Sequence, residues 1–324
     1  MVGSAVTADR GDLAEGALLV VGDVVTDVVA RHRGPLAAGT DTVAAVRTVP
    51  GGAGANVACW AVYDGCAEVR LLGRVGVDSA AWHERELAAS GVRPLLVTDP
   101  QTPTGTVICL VDTGASAERT FLTDSGASLR LAPGDWSPAL LDGVARLHLS
   151  GYLFFSEPSR ALVSVVLEST RARGVPVSLD PASAGFLTEL GVDRFLELCA
   201  GVDVLLPSRD EACLLTGLPD PADAAAKLSR HFPLVVAKLG SDGALVARSG
   251  SVRARVPALP ATPRDTTGAG DAFTGAFLAA LLAGAEPEEA TTAGCAAGAK
   301  AVERVGGRPP AGSRRLHEGE TRVR

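Results

Sequence analysis

Short, nearly unbroken apolar runs recur along this chain, at Leu18–Val21, Glu68–Leu72, Leu95–Val97, Thr106–Val111, Arg146–Leu149, Pro176–Leu179, Val202–Leu206 and Leu234–Ala237. Runs of this length without polar alternation suit strands covered on both faces, the condition inside a parallel sheet. Segments of helical period lie between them. Asn56–Asp64 follows a glycine turn, and Asp78–Ser90 carries Ala81, Trp82 and Leu87. Ser159–Arg173 starts after Pro158 and stops near Gly174, with Leu162, Val163, Val166 and Leu167 on one stripe. Alternating strand and helix predict an α/β fold with a mostly parallel central sheet and helices on both faces. The chain has 324 residues, 47% apolar but only 4% aromatic, so its core must rest on Ala, Val and Leu.

Two stretches break the alternation. Arg31–Pro50 mixes glycines and β-branched residues with no helical stripe. Thr98–Ser128 holds Thr104–Asp112 and Ala117–Thr123, which read as strands joined by a Gly-containing turn. Both are expected to build a small β-sheet lid on the main domain, from segments 31–50 and 98–125. From Arg308 the sequence turns to Pro, Gly and Arg with little to bury, as in a mobile surface segment. The domain is therefore drawn at 17–309, with a flexible tail over 310–324.

Several function classes are disfavoured. A net charge of -7, from 37 acidic and 30 basic residues, argues against general nucleic-acid binding, which needs a basic surface. The first apolar run is too short to cross a bilayer and is broken by Asp23 and Asp27, and Met1–Gly16 has no cationic-then-apolar leader pattern. Six scattered cysteines without a CxxC pair suit a reducing, cytoplasmic setting. The five histidines have no metal-ligand spacing, and neither a Walker A lysine motif nor a G-x-S-x-G elbow is present.

The strongest chemical signal is Arg264–Leu282. Small residues turn sharply at Gly268 and Gly270 into a helix whose apolar body includes Phe273, Phe277 and Leu281. The amides of Thr267 to Asp271 are expected to be unpaired at this helix start and free to point at one anion. Asp271 itself has two open roles: a helix cap, or a general base beside a phosphate pocket. Pro50–Ala58 again places glycines before a helix, with Asn56 near its first turn. It departs from a dinucleotide fingerprint, with Asn where the third glycine belongs. Asn56 suits bonding to neighbouring ligand hydroxyls, or an ordinary cap. Asp23 and Asp27 close and follow the first strand, where open α/β sheets bind ligands; donors for them could be sugar hydroxyls or backbone amides.

In this order, these residues resemble the ribokinase-like (PfkB) carbohydrate kinase family. The likeness runs from Leu18 to about Pro309 and is carried by Asp265–Asp271, by Gly51–Asn56 and by Gly73-Arg-Val-Gly-Val-Asp78. The resemblance implies ATP-dependent transfer of the γ-phosphate to a hydroxyl, on a parallel α/β fold whose β lid often forms a homodimer interface. It makes Asp271 the base, and the amides of Gly268, Ala269 and Gly270 the anion hole. Asp27 and Asn56, with Gly51, Gly52 and Gly54, become acceptor-binding positions, and Asp23 a supporting one. Ser208 and Glu211 align with an N-x-x-E segment that organises magnesium, Glu211 acting indirectly, and here Ser208 stands in place of Asn. Lys238, Gly240 and Gly243 border the ATP phosphates, with Lys238 where many relatives have Thr. Thr267, Val305 and Gly307 belong to the nucleotide pocket. Potassium is expected on carbonyls near Asp265 and Thr267.

Implied cofactors are thus ATP and Mg²⁺, with K⁺ as a further expectation. The acceptor is expected to be a sugar or sugar derivative, with a nucleoside as the alternative. Ala53 and Val57 stand where true ribokinases commonly have Lys and Gln, which lowers ribose itself. Phe121 is the visible lid aromatic, and Tyr152, Phe154 or Phe155 could supply a ring from elsewhere. A non-catalytic sugar- or nucleotide-binding regulator is the reading from another class, supported by Ser208. An NAD enzyme is a weaker third.

Overall fold

The computed structural model describes residues 16–112, 114 and 119–310. In chain order the elements are β1 (Ala17–Val21), β2 (Val25–His32), β3 (Ala44–Gly51), α1 (Ala53–Tyr63), β4 (Val69–Gly76), α2 (Ala80–Ala89) and β5 (Arg93–Asp99). Then follow β6 (Thr104–Asp112), β7 (Arg119–Gly126), β8 (Val144–Ser150), α3 (Glu157–Arg173), β9 (Val177–Asp180), α4 (Ala184–Leu190), α5 (Val192–Leu198) and β10 (Val204–Leu205). The last are α6 (Arg209–Thr216), α7 (Pro221–Leu228), β11 (Leu234–Lys238), β12 (Ala244–Arg248), β13 (Ser251–Val256), α8 (Ala269–Leu282) and α9 (Pro287–Val302).

A nine-stranded sheet runs β13-β12-β11-β10-β9-β8-β1-β4-β5. Every pair from β5 across to β11 is parallel, and β12 and β13 add an antiparallel edge. The apolar runs of the sequence are these strands, except Thr106–Val111, which lies in β6 of the smaller sheet. The edge hairpin β12–β13 was not anticipated, because its residues lie among polar and turn-forming neighbours. Strand alternation divides the core in two: Leu19 and Val21 pack with Leu162, Val166 and Phe195 on one face, while Leu18 and Val20 pack with Ala58, Phe277 and Leu278 on the other. Helices therefore cover both faces, as expected. α3 has a capping Ser156 accepting from the Ser159 amide, and it ends at Gly174 with φ 67.

The small sheet runs β3-β2-β6-β7. It begins at Val25 and, in its second half, at Thr104, rather than at 31 and 98: β2 pairs along its whole length with β6, while Leu95–Val97 belong to β5 of the main sheet. This correction places Asp27 on a lid strand. Part of the anticipated Ala117–Thr123 strand lies outside the described residues, as do Met1–Glu15 and 311–324 of the anticipated tail. Arg308 is a second departure from expectation. It is held among buried groups, its Nη2 donating to the Gly51 carbonyl at 3.3 Å. Among the described residues no helix is long and apolar enough to cross a membrane.

Candidate active site

Two glycine-rich helix starts face one another across the carboxyl end of β1. At the first, Gly52 has φ 98, and a side chain there would strike the Asp23 carbonyl at 2.5 Å. The Asp23 carboxylate accepts the amides of Ala53 at 2.6 Å and Gly54 at 3.2 Å, and the Ser150 hydroxyl at 2.7 Å. Of the two donor sources open in the sequence, backbone amides are the ones found, but they come from α1. Gly54 itself packs on Gly22, where an added Cβ would lie 2.8 Å from Gly22 Cα. Asn56 follows within the first turn.

At the second start, Gly268 has φ 73 and caps α8 without any side-chain hydrogen bond. A Cβ on Gly268 would lie 2.4 Å from Gly307 Cα, so the glycine admits a close crossing of two backbones. Thr267 donates its amide to Asp265 Oδ1 at 2.8 Å, and Ala269 to the Thr266 carbonyl at 3.3 Å. The expected row of free amides is thus shorter than supposed: those of Gly268, Gly270 and Asp271 find no protein acceptor among the described residues. Asp265 is a loop tie, its other oxygen accepting from Gly306 at 3.0 Å.

Asp271 does not cap its own helix. Its Oδ2 accepts from Asn56 Nδ2 at 2.8 Å, and Asn56 Oδ1 is buried without a protein partner. Burial raises the Asp271 carboxyl, Asn56 pulls it back, and the charges of Asp180 and Asp23 push it further, leaving it at about 7. Asp27 also reaches about 7, raised by burial and by Asp23 against the opposing charge of Arg308. Its carboxylate packs against Gly51, where a Cβ would lie 2.3 Å from Oδ1. It has no hydrogen-bond partner among the described residues.

Both starts open on a single cavity of about 610 Å³. Asp23, Asp27, Gly52 and Asn56 line one part of it. Thr267, Gly268, Gly270, Asp271 and Asp265 line another, with Ser208, Glu211, Lys238 and Gly240 nearby. Gly51, Gly54, Gly243, Ala269 and Gly307 lie behind the wall, acting through backbone packing, and Val305 is 43% exposed outside it. Gly307 is wedged against Asn56 and Gly268, and Trp60 Nε1 donates to its carbonyl at 2.8 Å.

One acid was missed in the sequence. Asp180 ends β9 as Asp23 follows β1, so an Asp directly after an apolar run was the available signal. It accepts from Lys238 Nζ and from Thr274 Oγ1 at 2.9 Å. Lys238 therefore points neither to solvent nor freely at a ligand. Burial alone would lower its ammonium, but Asp180 and Glu211 overcome that and raise it. Its Nζ lies 3.5 Å from where a Cβ on Gly270 would sit. Ser208 and Glu211 form a capping box for α6: the Glu211 amide donates to Ser208 Oγ at 3.3 Å and Ser208 N donates to Glu211 Oε2 at 2.8 Å. Burial, then the charge of Asp180, raises the Glu211 carboxyl. Among the described residues no group of His, Cys, Asp or Glu forms a ready-made metal cage.

These residues fit a magnesium nucleotide. Three spare amides at a helix start and a nearby ammonium suit phosphate oxygens, and the Asp180–Glu211 acids suit a hard cation held through water. The Gly268 cradle would be filled by any side chain.

Comparison with known proteins gives the same direction. The family model described as pfkB family carbohydrate kinase matches residues 16–313. A fructokinase from Klebsiella pneumoniae is 30% identical over 283 residues, covering 84% of this chain and 87% of that protein. Among solved structures, the adenosine kinase from Sinorhizobium meliloti superposes with TM-score 0.80 at 23% identity, covering 91% of this chain and 96% of that one. A putative ribokinase II from E. coli, solved with ATP and Mg²⁺, gives TM-score 0.80 at 24% identity, covering 90% and 94%. The last two share the fold. With its family model spanning nearly the whole described chain, the protein belongs to the pfkB family of carbohydrate kinases and is an ATP-dependent phosphotransferase.

Proposed function

We propose that the chain moves the γ-phosphoryl group of ATP to a hydroxyl of a sugar or sugar derivative, with Asp271 as general base. One observation carries this reading: a buried carboxylate, free of capping duty and titrating at about 7, opens on the cavity beside three spare amides. A base with that pKa is substantially ionised near neutrality yet basic enough to take a proton. Asn56 fixes the carboxylate oxygen and keeps its own buried Oδ1 for an acceptor hydroxyl. Asp27 on the lid strand, without a hydrogen-bond partner among the described residues, can accept from a second hydroxyl, which would couple acceptor binding to lid closure. The amides of Gly268, Gly270 and Asp271 would meet charge developing on the phosphoryl oxygens, with Lys238 alongside. Glu211 and Asp180 are the residues that would hold the waters of a magnesium ion, which would offset phosphate charge there. The lid covers the cavity and keeps out water that would compete as acceptor.

The lid also supports a homodimer. Its cavity face carries Val29 and Cys109, while Val46 and Leu122 on the opposite face are 60% and 54% exposed. A small sheet apolar on both sides suits pairing with a second copy.

The test is formation of ADP from ATP and Mg²⁺, with and without K⁺, across sugars and nucleosides. Acceptor-stimulated ADP is expected. Acceptor binding without turnover would favour the non-catalytic reading instead.

A further inference from the structure

The cavity is unevenly furnished. Its charged lining is acidic, comprising Asp23, Asp27, Asp180, Glu211, Asp265 and Asp271, and Lys238 is the one lysine or arginine lining it among the described residues. Lys238 is already paired with Asp180 and sits at Gly270, the phosphoryl end. Arg308, whose charge acts on Asp27, bonds the Gly51 carbonyl behind the wall, so among the described residues no lysine or arginine lines the part of the cavity floored by Asp27 and Asn56. His148, the histidine in the lining, is fully buried, and that burial holds it neutral. A phosphate or carboxylate on the acceptor would meet several like charges and no cationic lining residue beyond the already paired Lys238, an arrangement that disfavours anions.

The walls around that floor are apolar. Val29, Val107, Cys109 and Phe121 line it from the lid, and Tyr152 and Phe186 from the main domain. Tyr152 stands edge-on to Phe186, with centroids 5.9 Å apart, and Phe155 stacks behind Phe186 at 4.7 Å. Phe186 is thus braced as part of a three-ring wall. A small polyol would fill the polar floor and leave these rings facing water. A flat, apolar substituent beside the hydroxyls would cover them.

We infer that the acceptor is an uncharged sugar derivative bearing a flat ring substituent, the nucleoside class, and is neither a phosphorylated nor a carboxylated sugar. This rests on the kinase reading for its reaction, but the pocket argument concerns binding and can fail separately. Asp27 and Asn56 serve the ribosyl hydroxyls, and the Tyr152–Phe186 wall receives the ring.

The experiment uses the full chain with ATP and Mg²⁺ and compares ribose, fructose, ribose 5-phosphate, fructose 6-phosphate, gluconate, uridine, cytidine, adenosine and inosine. Turnover is followed as ADP, and binding of each compound is measured by calorimetry. At least one nucleoside should exceed ribose in kcat/KM by about tenfold or more, the scale of one ring stacked on aromatic side chains. The phosphorylated and carboxylated sugars should rank last. Phe186→Ala should lower the nucleoside-to-ribose ratio. A best acceptor bearing phosphate or carboxylate overturns the inference, as does a free sugar equal to every nucleoside, or a ratio unmoved by both Phe186→Ala and Tyr152→Ala. If no compound yields ADP, calorimetry decides. Nucleoside binding with none from the charged sugars keeps the pocket assignment and removes the kinase reading; binding by no nucleoside overturns the assignment.

Discussion

The starts of α1 and α8 are written in nearly the same residues, and the protein uses them oppositely. At α1 the exposed amides are closed by an internal carboxylate, Asp23, with Ser150 bonded to its back. At α8 no side chain among the described residues does this, and there three amides stay open beside an acid that bonds elsewhere. A glycine-rich helix start is thus only a latent anion site. What decides its use is whether the fold delivers an internal anion to it. Capping makes α1 a rigid platform for Asn56; its absence leaves at α8 the amides proposed above to meet a phosphoryl group.

The widest separation between the two starts should come from Asp271→Asn, which removes the proposed base and leaves every backbone donor in place. Turnover is expected to fall by ~10²–10⁴-fold with nucleotide binding largely kept; near-normal steady-state turnover would remove Asp271 from the chemistry. Next, Gly268→Ala should cost about 10²–10³-fold in kcat, the scale of a lost preorganised donor. Its methyl group must displace Gly307, 2.4 Å from the ideal Cβ position, at a backbone φ of 73. Unchanged kcat would mean that the open amides play no part.

The capped start should respond in stability instead. Asp23→Ala leaves two α1 amides and a buried hydroxyl unanswered, at a cost of about 1–3 kcal/mol in a denaturant titration. An unshifted midpoint would place the amides' needs elsewhere.

The pH response carries a definite sign. Asp271 and Asp27 each rise from 3.8 to about 7, so the folded protein holds protons there that the unfolded chain has released. Stability from this source is present at pH below about 4 and lost as pH rises toward and through 7. The proposed catalysis runs the other way, because a general base must be ionised. kcat should fall as pH drops through about 7, and Asp271→Asn should melt higher than wild type at pH 8 with the gap closing by about pH 4. A gap independent of pH would contradict the burial account. The smallest effect concerns the lid: Leu122→Glu should shift sedimentation toward monomer with little change in melting temperature, and an unchanged profile would reject the paired-lid reading.

Local features were legible in the chain, and long-range meetings were not. The strands of the parallel sheet announce themselves because each is apolar over its own short length, and the sharp turn at Gly268–Gly270 is a local event. Which start would be capped depends on Asp23 reaching α1 across 30 residues and Ser150 reaching Asp23 across 127. The Lys238–Asp180 pair spans 58 residues and escaped notice for that reason. β2 gave no strand signal because Asp27, Arg31 and His32 interrupt it, and its pairing with β6 supplies what its own pattern lacks. Arg308 read as part of a solvated tail because nothing local hints that its guanidinium finds the Gly51 carbonyl 257 residues earlier.

That last contact bears on how the molecule is made. Gly306 is bonded to Asp265, Gly307 fills the gap between Asn56 and Gly268, Trp60 grips the Gly307 carbonyl, and Arg308 reaches Gly51. The corner proposed above to be catalytic is therefore latched by residues near the end of the family-matched segment. The corner where α1 meets α8 therefore closes only when residues 306–308 are in place, later in the chain than every strand of the sheet.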